Sequence, residues 1–289
     1  RFSIDLKSRL NIDKELIQQV VALKKPVILE LNHETRSAHW GSLLKPSKQY
    51  KETKVLRDFA SANNISGFLI AELFVDDDNT FLQFNPNVGP NLPCYISQLK
   101  GDSNLIIGLG IPPYGILIKN TCAYNFAELN SIVDFYYVES RRINPCLPDV
   151  FNGVVPVGKT EHGTNYYLGL EEISEILSET QIDKKKLVYV LQFGPYEKDV
   201  PKMKSYHHVC TNQYNCSTWC IENTKNFFSK GVFVRKQNAG CSIAYFELDD
   251  IQNECGCGAF IGVKNIVAGY RGGEMQPCAK FDVKSSTLI

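Results

Sequence analysis

The sequence lacks a net charge, because its 289 residues contain 31 lysines and arginines against 31 aspartates and glutamates. Such a chain has no long-range field that attracts nucleic acid or an anionic membrane. Long apolar runs are missing as well, since the best one, residues 104–118, is interrupted by Pro112 and Pro113. A membrane-spanning helix needs about 20 mainly apolar residues. We therefore expect neither a nucleic acid nor a membrane among the partners of this protein.

A glycine-rich phosphate loop is also missing. Neither a Gly-x-Gly-x-x-Gly pattern nor a Walker loop occurs, and the pair Gly108 and Gly110 leads into two prolines instead of a helix. Such loops hold nucleotide phosphates at the first turn of a helix. The sequence therefore argues against a nucleotide-binding sheet, and we expect no cofactor. The histidines and cysteines do not have the spacing of a zinc site, so no metal is expected either.

Cysteine, in contrast, is abundant. Ten cysteines in a chain of this length indicate disulfide bonds and an oxidising compartment. Two glycosylation sequons, which begin at Asn64 and Asn215, point to the same compartment, so we predict a secreted glycoprotein. Cys241 lies in a predicted buried strand and is expected to be unpaired. The disulfide candidates are Cys94, Cys122, Cys146, Cys210, Cys216, Cys220, Cys255, Cys257 and Cys278.

Short apolar runs rich in β-forming residues recur along the chain, with helix-sized spacers between them. The runs are continuous rather than alternating, which is typical of parallel strands covered on both faces. They comprise residues 26–31, 65–73, 104–111, 132–139, 187–193 and 241–248. Strands that alternate with helices predict a parallel sheet with right-handed crossovers, either as a barrel or as a doubly wound sheet.

The order and content of these segments resemble glycoside hydrolase family 18, the chitinases and chitinase-like proteins. Residues 231–256 (GVFVRKQNAGCSIAYFELDDIQNECG) resemble the last helix and eighth strand of that family. Residues 59–73 (FASANNISGFLIAEL) resemble the helix and fourth strand that carry its catalytic signature. The resemblance extends over about residues 20–260. It implies an α/β fold of the (β/α)8 TIM-barrel type.

The implied barrel is modified or incomplete at its N-terminus. Nothing in the sequence resembles the first strand of the family, and residues 2–6 (FSIDL) resemble at most the end of the second. Because an open strand edge exposes hydrogen-bonding groups, we expect a protein partner or self-association to cover the gap. Residues 1–260 are predicted to form the barrel domain. Residues 261–289 are predicted to be a disulfide-stapled extension of the same domain, within a disulfide-rich C-terminal region.

The catalytic signature of the family is degraded in this chain. In the family it reads Asp-Gly-x-Asp-x-Asp-x-Glu: the Glu protonates the leaving oxygen, and the preceding Asp orients the acetamido group that attacks the sugar. This substrate-assisted reaction is an exception among glycosidases. When the chain is aligned on its own Gly, the Glu position holds Leu73, and the Asp positions hold Leu69 and Ala71. A shift by one residue places Glu72 at the acid position but an isoleucine at that of the Asp. The resemblance therefore implies a protein without hydrolytic activity.

Other sugar-contacting positions of the family are changed too. The third-strand Ser-x-Gly-Gly falls on residues 30–33, the sixth-strand Met-x-Tyr-Asp on residues 139–142, and the eighth-strand Trp on Ala244. Ligand sites of barrels lie at the C-terminal ends of the strands. The ligand-binding candidates at these ends are Asn32, Tyr137, Glu139, Arg141, Gln192, Tyr196 and Tyr245. The weak catalytic candidates are Glu72 and Glu139.

Three functions remain open on the sequence alone. The first is a lectin for chito-oligosaccharides or another glycan, in which tyrosines serve as stacking platforms. The second is a structural or interaction protein (storage, matrix or inhibitor) that binds no sugar. The third is a hydrolase with a rearranged site around Glu72, Glu139 and Arg141. Loss of the stacking Trp favours the interaction protein, whereas the retained tyrosines favour the lectin.

Overall fold

A computed structural model of the chain describes residues 3–4, 10–33, 40, 44–73, 88–141, 143–162, 165–198, 200 and 203–283. The chain divides into two compact units. We call them the first unit (residues 1–138 and 177–186) and the second unit (residues 139–176 and 187–289). None of the helices in the described ranges combines the length and the apolar character that crossing a membrane requires.

The first unit contains a sheet that is parallel except for one strand. Its strands are β1 (Ser3–Ile4), β2 (Leu10–Asn11), β3 (Ile28–His33), β4 (Gly67–Ile70), β5 (Ile106–Ile111) and β6 (Phe135–Val138). Its helices are α1 (Lys14–Val21), α2 (Pro46–Asn63), α3 (Val88–Lys100), α4 (Gly115–Ile118) and α5 (Phe126–Ile132). Strands β3 to β6 pair in parallel in chain order. Strand β1 also pairs in parallel with β3, and β2 pairs with β1 in the antiparallel sense. β1 lies within the segment that resembles the end of the second barrel strand.

Helix α2 connects β3 to β4 and buries one face of its surface. The apolar spacing of residues 51–64 predicts one apolar face with Val55, Leu56 and Phe59, of which Leu56 and Phe59 are buried and Val55 is partly exposed. The same helix carries a buried carboxyl group. The hydroxyl of Tyr95 in α3 donates a hydrogen bond of 2.6 Å to Glu52 Oε1. Burial raises the pKa of Glu52 to about 7, and the hydrogen bond from Tyr95 opposes this shift.

The second unit is built around two parallel strands, β9 (Leu187–Gln192) and β12 (Gly240–Ala244). Its other elements are the strand pairs β7 (Thr160–His162) with β8 (Asn165–Tyr167) and β10 (Tyr196–Glu197) with β11 (Trp219–Cys220), most of helix α6 (Leu170–Ser178), and the helices α7 (Tyr206–Cys210), α8 (Thr224–Lys236) and α9 (Ile261–Arg271). Helices α8 and α9 approach very closely. A Cβ atom on Gly231 of α8 would lie 2.1 Å from the carbonyl oxygen of Ile266 in α9, so the contact requires glycine.

The C-terminal segment packs back onto the second unit. The ring of Phe281 is fully buried and stacks on Tyr206, with 4.0 Å between the ring centroids. The carboxylate of Asp282 accepts hydrogen bonds from the backbone N–H and the hydroxyl of Thr224, at the start of α8. The predicted domain boundary at residue 260 stays a prediction.

The six predicted strands occur as β3, β4, β5, β6, β9 and β12, with bounds that differ from the apolar runs. The largest shift of a single strand end concerns β12. The run 241–248 predicts a strand that continues to Leu248, whereas β12 ends at Ala244. Tyr245 has a φ of 58°, which extended backbone cannot adopt, and Phe246–Leu248 form a 3-10 turn.

Candidate functional site

The positions that match the acids of the family signature lie in and just after β4. The parallel register places Leu69 beside Glu30 of β3 and beside Gly108 of β5. Leu69 and Ala71 are buried, and the Leu73 residue is only 2% exposed. A buried carboxylate without a partner is costly, whereas alkyl side chains are stable in such an environment. The matching positions therefore offer alkyl groups and no acid.

Glu72 lies between two of these buried apolar residues and is itself partly exposed. Its φ of 55° places its backbone in the left-handed region. In a strand, successive side chains point to opposite faces, but only where the backbone is extended. Because Glu72 is not extended, this rule does not tell which way its side chain faces when the signature is aligned one residue further along. Residues other than glycine rarely adopt this left-handed backbone conformation, because it costs about 1–2 kcal/mol.

The candidates that follow β3 and β6 differ in exposure. Tyr137 in β6 lies beside Gly110 of β5 and is partly exposed. In the second unit, Glu139 is buried and Arg141 is partly exposed. Between them, the hydroxyl of Ser140 donates a hydrogen bond of 2.8 Å to the carbonyl oxygen of Val190 in β9. Asn32 belongs to β3, but its side chain lies outside the described residues.

The structure brings together two of the predicted candidates, Gln192 and Tyr196, in the second unit. Both are buried, and Gln192 Nε2 donates a hydrogen bond to the Tyr196 hydroxyl oxygen. They line a small pocket with an empty volume of about 230 Å³, part of which is open solvent. Its other lining residues are Gly153, Val154, Gly194, Glu222 and Phe227. Because their polar groups already bond to each other, Gln192 and Tyr196 form a wall of the pocket rather than an open platform.

Glu222 is a member of this pocket that the sequence interpretation missed. Its carboxylate Oε2 lies 2.5 Å from Nζ of Lys230, and both residues are buried. Burial raises the pKa of Glu222, while Lys230 and the backbone N–H groups of Val154 and Val155 oppose the rise. A signal for the pair exists in the sequence: Lys230 occupies the same face of α8 as Phe227 and Val234, where a lysine requires a buried partner.

Tyr245, the last tyrosine candidate, directly follows β12 and is exposed. The residues after it carry further exposed aromatic side chains, Phe246 and Phe260, which the sequence interpretation did not consider. Their ring centroids are 6.4 Å apart with an interplanar angle of 41°. These rings lie just beyond the C-terminal end of β12, the end at which barrel proteins place their ligand sites.

Six of the nine disulfide candidates are paired, all within the second unit. The bonds join Cys146 to Cys220, Cys210 to Cys255 and Cys257 to Cys278. The expectation that Cys94, Cys122 and Cys216 form disulfides differs from the structure, which shows all three as free thiols. Cys94 and Cys122 are exposed in the first unit, whereas all six bridged cysteines belong to the second unit. Cys220, the cysteine nearest to Cys216 in the sequence, is bonded to Cys146. Cys241 is also a free thiol.

The side chains of both sequon asparagines are accessible. Asn64 is exposed at the end of α2, and Asn215 is exposed in the segment before β11. Asn215 Oδ1 accepts hydrogen bonds from both the backbone N–H and the hydroxyl of Ser217. The two asparagines therefore remain glycosylation candidates.

One group of potential metal ligands occurs in the described part of the chain, formed by Cys210, Asp250 and Cys255. The two sulfur atoms are bonded to each other as a disulfide. The Asp250 carboxylate accepts hydrogen bonds from the backbone N–H groups of Glu254 and Cys255. The three side chains therefore lie close together because the disulfide and these hydrogen bonds cross-link this part of the structure.

Comparisons with known proteins find no matching family model and no matching curated protein. Solved structures, however, match most of the chain. Catalytic domain 2 of the Group II chitinase of Ostrinia furnacalis matches with a TM-score of 0.81 and 16% identity, over 97% of this chain and 90% of that chain. Human YKL-39, described as a pseudo-chitinase with retained chitooligosaccharide binding properties, matches with a TM-score of 0.73 and 14% identity, over 93% of this chain and 89% of that chain.

A third solved structure gives a similar result. The chitinase RmChi1 from Rhizomucor miehei matches with a TM-score of 0.67 and 14% identity, over 91% of this chain and 93% of that chain. At such low identities the likeness concerns the fold. The prediction of an α/β, TIM-barrel-like fold that is modified or incomplete is confirmed, and so is its disulfide-rich C-terminal region. This chain has the fold of chitinases and of the chitinase-like proteins related to them.

Proposed function

We propose that this chain is a secreted, catalytically inactive chitinase-like protein that binds amino-sugar oligosaccharides. The observation that carries the proposal is the burial of Leu69, Ala71 and Leu73 at the positions of the family acids. The family reaction needs one group that donates a proton and another that orients the attacking acetamido group. Alkyl side chains perform neither task.

Sugar binding without hydrolysis has support among the structural neighbours. YKL-39 is described as a pseudo-chitinase that retains chitooligosaccharide binding. A Glu-to-Leu variant of the Ostrinia furnacalis domain was solved in complex with a chitooligosaccharide, (NAG)5. The present chain likewise carries a leucine, Leu73, where the family signature has Glu. Binding by this chain is inferred from that parallel.

Secretion and glycosylation form part of the same proposal. Disulfide bonds persist in oxidising compartments and are rare in the cytosol, and this chain has three. The exposure of Asn64 and Asn215 supports glycan attachment at both sequons. Mass spectrometry of the protein from a secretory host, before and after enzymatic removal of N-linked glycans, tests both sites.

Calorimetric titration with a chito-oligosaccharide of six sugars tests the central claim, together with an assay of newly formed reducing ends. A saturable heat without new reducing ends is the expected result. Heat that continues at a steady rate, with new reducing ends, would overturn the claim of inactivity. The variants Glu72→Gln and Glu139→Gln would then show which carboxylate acts in a rearranged hydrolase site.

The interaction protein without sugar binding is the second candidate. It is favoured by the burial of Gln192 and Tyr196, which bond to each other and present little surface to a ligand. If this second function is correct, the calorimetric titration with the six-sugar chito-oligosaccharide gives no heat, although circular dichroism shows that the protein is folded. This second function also predicts a partner or self-association that covers the N-terminal strands, which sedimentation of the protein at several concentrations would detect.

A further inference from the structure

The solvent side of α2 carries a regular series of basic residues. A lysine or arginine occupies every third position from residue 45 to residue 57. The last of them, Arg57, is partly exposed, and its guanidinium donates a hydrogen bond to the carbonyl oxygen of Gln98 in α3. The other four are exposed lysines, which we call the lysine row: Lys45, Lys48, Lys51 and Lys54.

Helix geometry arranges the lysine row obliquely across the solvent side of α2. Three residues advance an α-helix by about 4.5 Å and turn it by about 60° less than a full turn, so Lys48, Lys51 and Lys54 form an oblique line. The side of the helix that carries Leu56 and Phe59 is buried in the core. The row is therefore presented by a long helix, Pro46–Asn63, whose other side is fixed by packing.

The acidic residues of α2 neutralise little of this positive charge. Glu52 is buried, where its carboxylate accepts the hydrogen bond from Tyr95. Asp58 pairs with Lys54 at 2.7 Å, but both side chains are more than half exposed, and such pairs contribute at most about 1 kcal/mol. A bound polyanion can therefore replace Asp58 at little cost. The whole chain has no net charge, so this positive potential is local, and salt confines it to about 8–10 Å.

The first lysines of the row lie where a helix favours the opposite charge. The N-terminus of a helix carries a partial positive charge, so a lysine there costs about 0.3–1 kcal/mol. Helix α2 has no acid in its first turn, and its N-cap residue, Lys45, makes no side-chain hydrogen bond to the backbone. Ser, Thr, Asp and Asn are the usual N-cap residues. The lysines therefore do not serve the stability of the helix, which favours a role in binding.

We propose that the lysine row binds a linear anionic polysaccharide, whose sulfate or carboxylate groups contact the ammonium groups one after another. This binding is additional to the proposed binding of amino-sugar oligosaccharides. The choice of ligand rests on the proposed secretion, because anionic polysaccharides are the common linear polyanions outside cells.

A flexible polysaccharide fits the row better than a membrane or a nucleic acid. From Lys48 to Lys54 the side chains turn by about 120° around the helix, so a flat bilayer contacts only part of the row, whereas a flexible chain can follow it. Arginine is the residue best suited to phosphate and nucleic acid, because its planar group matches the phosphate. The row contains only lysine, a compact point charge that suits anions spaced along a flexible polymer.

Fluorescence anisotropy of labelled polymers, titrated with the wild-type protein at about 0.15 M salt, tests the proposal. The expected result is saturable binding of dextran sulfate or of hyaluronan, which weakens as salt is added, and no binding of uncharged dextran. Comparison of the two anionic polymers distinguishes sulfate from carboxylate recognition. Binding of neither would overturn the proposal, whatever the titration with chito-oligosaccharide shows. Tighter binding of a DNA duplex or of vesicles with anionic lipid would also overturn it.

A triple variant, Lys48→Gln/Lys51→Gln/Lys54→Gln, provides the second readout. It is expected to weaken binding of the anionic polymer by at least about tenfold and to reduce the salt dependence, because fewer counterions are released. Its melting temperature is expected to be no lower than that of the wild type, because a lysine near the positive end of the helix is removed. A lower melting temperature with unchanged affinity would show a structural role and overturn the proposal.

A matched control separates this surface from the net charge of the protein. Lys225→Gln/Lys236→Gln/Lys264→Gln removes three exposed lysines of the second unit and changes the net charge by the same amount. It is expected to leave the affinity for the anionic polymer within about twofold of the wild type. Equal weakening by both triple variants would show that the attraction depends on net charge alone, which would overturn the assignment to α2.

Discussion

The ammonium nitrogen of Lys230 lies 2.5 Å from a carboxylate oxygen of Glu222 inside the second unit, and the Lys230 residue is only 2% exposed. A buried ion pair gains from its attraction but loses the hydration of both charges. Removal of one partner therefore costs more than removal of both. The pair connects α8 to the segment before it, and Glu222 also contacts the backbone of Val154 and Val155.

Lys230→Met is expected to lower the free energy of unfolding by about 3–5 kcal/mol, because it leaves a buried carboxylate without its cation. The double variant Lys230→Met/Glu222→Gln is expected to regain most of this loss. Urea unfolding followed by circular dichroism gives both values. A double variant that is no more stable than Lys230→Met would contradict the account of the pair.

Glu52→Gln is expected to change the dependence of stability on pH. The pKa of Glu52 is about 7 in the folded protein, against an ordinary value of 4.5, so the folded protein binds this proton more tightly than the unfolded chain. The corresponding stability is complete below pH 4.5 and is lost as the pH rises through 7. Glutamine mimics the protonated group. At pH 8 the variant is therefore expected to be about 3 kcal/mol more stable than the wild type, and at pH 4 about equally stable.

Urea unfolding at pH 4, 6 and 8 measures this effect. Glu15→Gln, at an exposed position in α1, is the matched control and leaves the pH profile unchanged. Equal profiles for the wild type and Glu52→Gln would show that the buried carboxyl does not titrate in this range.

The four free thiols are expected to react with iodoacetamide at different rates. Cys94 and Cys122 are exposed and react first, and Cys216 is partly exposed and follows. Cys241 is partly exposed as well, but it is expected to react last, because partial burial raises the pKa of its thiol to about 11 and leaves little thiolate. Peptide mapping by mass spectrometry over time gives the order. A peptide pair linked through Cys94 and Cys122 would show that these two form a fourth disulfide.

Leu73→Glu, which restores the acid of the family signature at one position, is expected to destabilise the protein by at least about 3 kcal/mol. The side chain lies in a buried apolar environment, so the new carboxylate would lose its hydration. Leu73→Met is the control and is expected to cost less than about 1.5 kcal/mol. Thermal unfolding compares the two. A stable Leu73→Glu variant would mean that this position can hold an acid, which weakens the argument for inactivity.

The parallel strands could be predicted from the sequence because short continuous apolar runs such as residues 106–111, separated by helix-sized spacers, indicate buried strands. The end of β12 could not. The apolar run continues through Tyr245 and Phe246, and nothing in the sequence signals that Tyr245 has a positive φ. Propensity rules assign this conformation to glycine or asparagine, so a strained aromatic residue escapes them.

Side-chain environments were harder to predict than strands. Lys230 was not considered because lysine is ordinarily a surface residue, although its position among the apolar residues of α8 contained the information. Tyr196 was predicted to be a sugar platform, whereas the structure buries it against Gln192. The approximate position of a strand can be inferred from sequence, but which side chains near its end remain exposed depends on the loops that pack over them.

The positions of the three disulfides determine how the chain responds to backbone cleavage. The loop closed by Cys146 and Cys220 overlaps in sequence with the loop closed by Cys210 and Cys255. A single proteolytic cut anywhere between residues 146 and 255 therefore leaves the two pieces joined in one covalent molecule. A cut between residues 88 and 138 separates the pieces, because Cys94 and Cys122 are unbridged. Nicked protein would run as an intact chain on a non-reducing gel in the first case and as two fragments in the second.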